Sequence, residues 1–278
     1  MSACTKGYVD VVKILLEKGA EINKQDQDGW TALHWASDQG HQAVVDILLE
    51  ANPDLSICTN DKRSSLMVAC DENFGQVVKS LIEKGVDVNL QDNIGRTALY
   101  VAFDNGRHEI SEILLEANAD PSISTNEKRT PLIIASERGN VKTVKSLLQK
   151  EINVDHQNEN GWTALYHAVI KGHVEVLEIL LEANADPNIP ENGGRSPLTS
   201  ATYDGYIEVM KRLLEKGVEI NKQARWQGTD GWTALFTAVF YNKSGCVDLL
   251  LNANADTNIC TSQNKSALMS ACEDGYGR

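Results

Sequence analysis

The sequence predicts an all-α repeat solenoid, in which helix-turn-helix units stack on one another and β-turns or hairpins protrude between them. The main observation is a tripeptide of Thr or Ser, then usually Ala or Pro, then Leu, which recurs along the 278 residues. A fixed period of about 20 to 50 residues is typical of solenoids whose units pack only on their neighbours. The tripeptide starts at eight positions, 33 residues apart except for one interval of 37: Thr31, Ser64, Thr97, Thr130, Thr163, Ser196, Thr233 and Ser266.

Helix boundaries can be predicted from the residues around this tripeptide. Its hydroxyl groups predict N-caps, because Ser and Thr side chains accept a backbone N–H at the start of a helix. Gly and Asn most readily adopt the left-handed conformation at a helix end, and they follow each tripeptide leucine by seven residues: Gly40, Asn73, Gly106, Gly139, Gly172, Gly205, Asn242 and Gly275. A second set of stops ends the second helix: Gly19, Asn52, Gly85, Asn118, Asn184, Gly217 and Asn254. Glu151 replaces the stop in the fifth unit and predicts a local departure.

The second helix of each unit is predicted to be buried between its neighbours. Its apolar set is too broad for a helix with one solvated face, as Val44, Val45, Ile47, Leu48 and Leu49 show. A single unit is not expected to fold alone, because its apolar faces are buried only by stacking.

The two ends of the array are predicted to present apolar faces, because no neighbouring unit covers them. We expect the isolated chain to fray or self-associate at these faces, which hydrogen exchange tests. The residues concerned are Val11, Ile14 and Leu15 at one end and Leu268, Met269 and Ala271 at the other.

The segment DGWTALHWASDQGHQAVVDILLEANPDLSI, residues 28–57, closely resembles the ankyrin-repeat consensus. Both its Gly-x-Thr-Pro-Leu-His opening and its Val-Val-x-x-Leu-Leu second helix have counterparts here, and the resemblance covers nearly the whole chain. It implies a non-enzymatic module that binds other proteins. One array of seven complete repeats is expected, starting near residues 29, 62, 95, 128, 161, 194 and 231, with partial units at 1–28 and 264–278.

Composition and charge narrow the classes of partner. The formal net charge of −13 opposes nucleic-acid binding, which depends on Lys and Arg, and favours a basic protein partner, although the acidity could serve solubility alone. No apolar run is long enough to insert into a membrane. The six cysteines lack the spacing of zinc sites or disulfide frameworks, so we expect a reducing, cytoplasmic location.

Catalysis is not expected. The six histidines occupy different repeat positions, and no Ser or Cys nucleophile motif accompanies them. His34 alone keeps the structural histidine that follows the tripeptide leucine in ankyrin repeats. We therefore expect no catalytic residues, cofactor, metal or small-molecule substrate.

The resemblance implies that the turn tips and the exposed part of each first helix line a concave partner-binding surface. The positions just before each first-helix stop are acidic in the first half of the chain, at Asp38, Asp71, Glu72 and Asp104, and apolar in the second, at Ile170, Tyr203, Phe240 and Tyr241. The position before the tripeptide contributes Trp30, Arg96, Arg129, Trp162, Arg195 and Trp232, and a four-residue insertion adds Trp226. We expect the cationic part of a partner near the acidic residues and an apolar anchor near Phe240 and Tyr241. The alternative is that the Trp and Arg side chains merely cover adjacent turns.

Several other functions stay open at this point. The chain could be the docking or regulatory region of a longer enzyme, ubiquitin-ligase adaptor or channel, or an elastic spacer. The resemblance also implies possible hydroxylation of the repeat-end asparagines, whereas Asx turns would explain the same residues structurally. Those asparagines are Asn23, Asn89, Asn188, Asn221 and Asn258.

Overall fold

A computed structural model describes residues 1–224 and 230–273 of the chain. The chain divides into two compact units, Met1–Pro131 and Leu132–Arg278. Regular structure in the described ranges is helical throughout, and the one β-type feature found there is an isolated antiparallel bridge between Ala224 and Trp232. The predicted all-α class is therefore confirmed.

The first unit consists of pairs of short antiparallel helices. In each pair, a first helix packs against a longer second helix, and from α3 onward the first helix begins at the second residue of the tripeptide. The helices are α1 (Ser2–Thr5), α2 (Val9–Glu17), α3 (Ala32–Asp38), α4 (Gln42–Glu50), α5 (Ser65–Asp71), α6 (Gly75–Glu83), α7 (Ala98–Asp104) and α8 (His108–Glu116).

The second unit repeats this pairing, beginning with α9. The first residue of α9, Pro131, is also the last residue of the first unit. Its final helix, α17, is a first helix like those before it. The helices are α9 (Pro131–Glu137), α10 (Val141–Leu148), α11 (Ala164–Ile170), α12 (Val174–Glu182), α13 (Pro197–Asp204), α14 (Ile207–Glu215), α15 (Ala234–Phe240), α16 (Ser244–Asn252) and α17 (Ala267–Glu273).

The first helices start where the tripeptide predicts. The Thr163 hydroxyl, for example, accepts a hydrogen bond from the Tyr166 N–H at 3.0 Å. This bond satisfies one of the N–H groups that lack a partner inside the helix. Together with Thr163, the tripeptide residues that form this cap are Thr31, Ser64, Thr97, Ser196, Thr233 and Ser266.

Helix ends also follow the predicted stops. Each predicted Gly or Asn in the described ranges has a positive φ, as at Gly40 (67°) and Asn118 (60°). Gly275 lies outside the described residues. Glu151 does not adopt a left-handed conformation, and α10, at 8 residues, is one residue shorter than the 9-residue second helices around it. The predicted departure in this unit is confirmed.

In alternate repeats, the side-chain amide of a glutamine ties one turn to the next turn along the chain. Gln25 donates through Nε2 to the Gly29 carbonyl at 2.9 Å in its own turn and to the Cys58 carbonyl at 3.0 Å in the next. The spacing between neighbouring turns is therefore fixed by side-chain hydrogen bonds as well as by apolar packing. Equivalent bonds are made by Gln91 in the first unit and by Gln157 and Gln223 in the second.

Four of the five repeat-end asparagines form hydrogen bonds between repeats. Asn23 Oδ1 accepts from the Asp54 N–H at 3.0 Å, 31 residues further along the chain. The Asx-turn explanation of these residues was therefore incomplete, because the carbonyl oxygen of the side chain is used by the following repeat. The same contact is made by Asn89, Asn188 and Asn221.

His34 is a structural residue that holds a helix start. Its Nδ1 accepts a hydrogen bond from the Thr31 N–H at 3.3 Å, and Nε2 lies 3.2 Å from the Arg63 carbonyl, to which it donates in the neutral ring. Burial lowers the pKa of His34 to about 4. The hydrogen bond to the Arg63 carbonyl favours the charged ring and acts in the opposite direction, but its effect is smaller.

This lowered pKa predicts a pH-dependent stability. Between pH 6.5 and pH 4 the unfolded chain binds a proton at His34 that the folded chain does not. The contribution of His34 to the free energy of unfolding is therefore fully present above pH 6.5 and is lost progressively as pH decreases towards 4. We expect His34 to account for a loss of about 2 kcal/mol in the free energy of unfolding between pH 7 and pH 5. Urea unfolding at both pH values measures it. In His34→Gln this difference should be smaller by that amount, and an unchanged pH dependence would show that His34 titrates normally.

Candidate functional site

Four aromatic side chains form a partly exposed cluster in the second unit, here called the aromatic surface: Tyr203, Trp232, Phe240 and Tyr241. Tyr203 lies near the end of α13, Phe240 and Tyr241 end α15, and Trp232 directly precedes the Thr233 cap of α15. Because α13 and α15 pack side by side, these ends lie next to each other. Tyr203, Phe240 and Tyr241 expose 40%, 38% and 39% of their surface, and Trp232 is half-buried.

The rings of the aromatic surface support one another. The Trp232 ring centroid lies 4.6 Å from that of Phe240, and Tyr241 meets Phe240 edge-on at 5.1 Å and Tyr203 at 4.8 Å. Such tilted and edge-to-face contacts are favourable arrangements of aromatic rings. The exposed faces are therefore held in place before any partner binds.

Phe236 lies beneath this cluster and was not among the predicted partner-binding residues. It is buried at 4% exposure, and its ring centroid is 4.8 Å from that of Trp232. The available signal was its position directly after the tripeptide leucine, which is buried in other repeats too, at Tyr166 and Met67.

Charged groups surround the aromatic surface. The Arg195 guanidinium lies over the Tyr203 ring at 5.8 Å, a cation–π contact. Burial raises the pKa of Asp204, although Arg195 and Lys243 act in the opposite direction. Burial, together with the neighbouring Tyr203, also raises the pKa of Tyr241, so its hydroxyl stays protonated and can donate a hydrogen bond.

The cleft at this surface is too small to hold a substrate. It has a volume of about 20 Å³, and Arg195, Thr199, Tyr203, Trp232 and Tyr241 are among its lining residues. Small-molecule sites typically have a volume of about 300–1,000 Å³. The aromatic surface is therefore suited to contact across exposed rings.

Two further predicted partner-binding residues of the second unit, Trp162 and Ile170, are more buried than expected. Trp162 is stacked on Tyr166 at 5.5 Å and meets His167 edge-on at 5.1 Å, so much of its ring is used within its own repeat. Ile170, expected to be exposed, is only partly so. Trp226 lies outside the described residues.

The acidic candidates of the first unit are partly compensated by neighbouring groups. Asp71 forms an ion pair with Arg63, and its Oδ1 accepts a hydrogen bond from Asn105 Nδ2 at 2.7 Å. Asp38 accepts from Gln39 Nε2 at 2.6 Å. Glu72 is exposed, whereas Asp38, Asp71 and Asp104 are half-buried.

Three candidates of the first unit line one cleft with a volume of about 300 Å³: Arg96, Asp104 and Arg129. Arg96 also donates through Nε to Asp92 Oδ2 at 2.8 Å. Because both signs of charge line the cleft, it offers a mixed surface instead of a purely acidic one.

Trp30 is packed within the first repeat of the same unit. Its ring centroid lies 4.6 Å from that of Trp35, whose Nε1 donates to Asp26 Oδ2 at 2.9 Å. Trp35 was missed by the sequence analysis, which considered only the position before the tripeptide. The alternative that these tryptophans cover a turn explains Trp30 well.

Comparison with protein families agrees with this architecture. A family model described as ankyrin repeats in three copies matches residues 1–57, 52–125, 132–224 and 198–277. The chain belongs to the ankyrin-repeat family, whose repeats are protein-interaction modules. Within the described ranges, no helix combines the length and apolarity needed to span a membrane.

Individual relatives share short segments with the chain. Protein phosphatase 1 regulatory subunit 12A from Mus musculus is 47% identical over 38 residues, or 14% of the chain and 4% of that protein. Protein VAPYRIN-LIKE from Medicago truncatula is 56% identical over 32 residues, or 12% of the chain and 7% of that protein. The chain thus spans only a small part of these curated relatives.

Among the solved structures that match, the ankyrin repeat domain of Bcl-3 covers most of the chain. The ankyrin repeat domain of Bcl-3, described as a unique member of the IkappaB protein family, has a TM-score of 0.69 and 25% sequence identity. The match covers 76% of this chain and 95% of that one. The similarity agrees with the ankyrin-repeat fold.

Proposed function

We propose that the chain is a non-enzymatic adaptor or scaffold that binds a protein partner through the aromatic surface of its second unit. The observation that carries this proposal is the partial exposure of three rings, Tyr203, Phe240 and Tyr241, around one half-buried tryptophan. Exposed aromatic clusters are costly in water and frequently anchor protein interfaces. Ankyrin repeats as a family are protein-interaction modules, which supports the same conclusion.

The chemistry of the surface favours an extended segment with one apolar anchor residue. An aliphatic or aromatic side chain would pack on the exposed ring faces, while the Tyr241 hydroxyl and the Asp204 carboxylate could hydrogen-bond to the partner backbone. The net charge of −13 favours basic residues beside the anchor and attracts such a partner from a distance.

Removing two of the rings tests the proposal. We expect Phe240→Ala combined with Tyr241→Ala to weaken partner binding at least tenfold, because truncating interface hot spots costs about 2 kcal/mol or more. The partner is first captured from cell extract with the wild-type chain and identified by mass spectrometry. Its affinity for each variant is then measured by calorimetry.

Tyr206→Ala provides the matched control. Tyr206 exposes 37% of its surface in the same unit, but its ring lies over Gly172 and outside the aromatic surface. Its removal should leave affinity within about twofold of wild type. Equal binding by the double variant and the wild type would contradict the proposed contact.

We also propose a cytoplasmic location. All six cysteines are free thiols, and Cys58, Cys260 and Cys272 are at least partly exposed. Free thiols of this kind are typical of a reducing compartment. Microscopy of the tagged chain should show it in the cytoplasm, and its accumulation in the secretory pathway would contradict this location.

A regulatory role within a larger assembly is the second candidate. The observation in its favour is the segment shared with protein phosphatase 1 regulatory subunit 12A, which is 38 residues long. A segment of about one repeat supports the binding class more strongly than any particular assembly. Recovery of phosphatase activity with the purified chain would support this candidate, and recovery of other partners alone would count against it.

A further inference from the structure

The cleft of the first unit contains a tyrosine hydroxyl that lacks a protein partner. The cleft has a volume of about 300 Å³, and Arg96, Tyr100, Arg129 and the turn residue Ile94 are among its lining residues. The Tyr100 side chain is 6% exposed, and within residues 1–224 and 230–273 its hydroxyl has no hydrogen-bond partner. A buried hydroxyl loses the hydrogen bonds that it makes in water unless another group replaces them. A ligand that brings an acceptor into the cleft therefore gains a bond.

Tyr166 in the second unit occupies the same repeat position and shows what Tyr100 lacks. Each tyrosine is the third residue after its tripeptide threonine. The Tyr166 hydroxyl lies 2.6 Å from Ser200 Oγ, and the side chain is 1% exposed. The residue that corresponds to Ser200 in the repeat after Tyr100 is Ile134, which has no polar side-chain atom. The sequence therefore provides no counterpart of this bond for Tyr100.

A buried carboxylate positions a second donor of the cleft. Asp92 is 6% exposed, and its Oδ2 accepts a hydrogen bond from Arg96 Nε at 2.8 Å. Because this bond uses Nε, it leaves both Nη groups of Arg96, which have no partner in the part of the chain that the structure describes. In the preceding repeat Thr59 takes the place of Asp92, and the arginine there, Arg63, pairs through Nη2 with Asp71 instead. Asp92 thus keeps the Nη groups of Arg96 free for a ligand.

The rim of the cleft carries an apolar residue where other turns are polar. Ile94 exposes 54% of its surface, and its backbone N–H donates to Asp92 Oδ1 at 3.1 Å. It lies three residues before the tripeptide, where the other turns have acidic or amide residues or glycine: Asp28, Asp61, Glu127, Asn160, Gly193, Asp230 and Gln263. A single exposed isoleucine is common on protein surfaces. Here it adjoins the two donors, so one ligand can cover it and bond to them together.

The charges around the Tyr100 hydroxyl favour a negative group. Four charged residues of the cleft lining act on this hydroxyl, in order of decreasing effect Arg129, Asp104, Arg96 and Glu127. Because each arginine has a larger effect than the acidic residue that follows it, the four together favour negative charge. Burial nevertheless raises the pKa of Tyr100, so its hydroxyl stays protonated and donates a hydrogen bond.

We propose that this cleft binds a carboxylate side chain of a protein partner, with a neighbouring apolar residue of the partner on Ile94. The Nη groups of Arg96 and the Tyr100 hydroxyl then donate to the carboxylate, and arginine makes such charge-assisted bonds in pairs. Ile94 favours a protein segment over a small free anion, because only the segment covers it. The cleft belongs to the first unit, and the proposal does not depend on the aromatic surface.

Nuclear magnetic resonance with three small probes tests the proposal. The dipeptide acetyl-Leu-Glu-amide should shift the Arg96 Nε–H and Ile94 methyl resonances, with a dissociation constant of about 1 mM. Acetyl-Leu-Gln-amide lacks the charge and acetate lacks the apolar residue, so each should bind at least about tenfold more weakly. Equal binding of the two dipeptides overturns the carboxylate, and equal binding of acetate overturns the protein segment. If no probe shifts these resonances, the cleft is not a binding site.

Two tyrosine variants separate binding from folding. Tyr100→Phe should weaken acetyl-Leu-Glu-amide binding about tenfold and leave the urea unfolding midpoint unchanged, because the hydroxyl has no protein partner to lose. The matched control Tyr166→Phe loses its bond to Ser200, so it should unfold at lower urea and bind the dipeptide like the wild type. Full binding by Tyr100→Phe, or equally weakened binding by both variants, overturns the role of the Tyr100 hydroxyl.

Discussion

Replacing Leu81 by Ala should destabilise the first unit by about 2–5 kcal/mol. Leu81 lies on α6 with no exposed surface, and α6 packs on both α4 and α8. The truncation leaves a cavity that both neighbours line, and in a stack each repeat depends on the packing of the next. Native-state hydrogen exchange should show protection of the α6 amides reduced at least about 30-fold, with smaller reductions in α4 and α8.

Leu15→Ala is the matched control for this prediction. Leu15 occupies the same repeat position on α2 but exposes 48% of its surface. Its truncation should cost less than about 1 kcal/mol. Equal losses for the two variants would show that burial between neighbours is not what stabilises this position.

Replacing Gly95 by Ala should cost roughly 2–4 kcal/mol. Gly95 has a φ of 82°, and an added Cβ would lie 2.7 Å from the backbone nitrogen of Asn126 in the next turn. That nitrogen donates to the Ile94 carbonyl at 2.9 Å, so moving it weakens a bond between repeats. Urea unfolding of the variant measures the loss.

Gly85→Ala separates backbone strain from this close contact. Gly85 has nearly the same φ, 83°, but no atom lies within 4 Å of the added Cβ. It should lose only the strain of the left-handed conformation, about 1 kcal/mol. If both variants lose equal stability, the contact between turns contributes nothing.

Much of the fold could be predicted from the sequence because its signals are local. The hydroxyl of Thr163 caps α11 whatever the neighbouring repeat contains, and Asn118 adopts its positive φ because asparagine tolerates it. The irregular end of α10 followed in the same way from Glu151. These features depend on one residue and its own backbone.

The candidate surface was harder to predict because it depends on contacts between repeats. The sequence placed Tyr203 and Phe240 at equivalent positions, with Tyr241 directly after Phe240, but could not show that the rings of Tyr203 and Tyr241 meet edge-on. It counted Asp71 as an acidic contact without showing its ion pair with Arg63. It also could not show that Ile170 is half covered, since side-chain direction decides exposure.

The central claim is that a protein partner binds on the aromatic surface. Hydrogen exchange of the chain with and without its captured partner tests this most directly. Partner binding should slow exchange at the ends of α13 and α15, next to Tyr203, Phe240 and Tyr241, and leave α14 and α16 unchanged. Slowed exchange confined to other helices, with α13 and α15 unaffected, would contradict it.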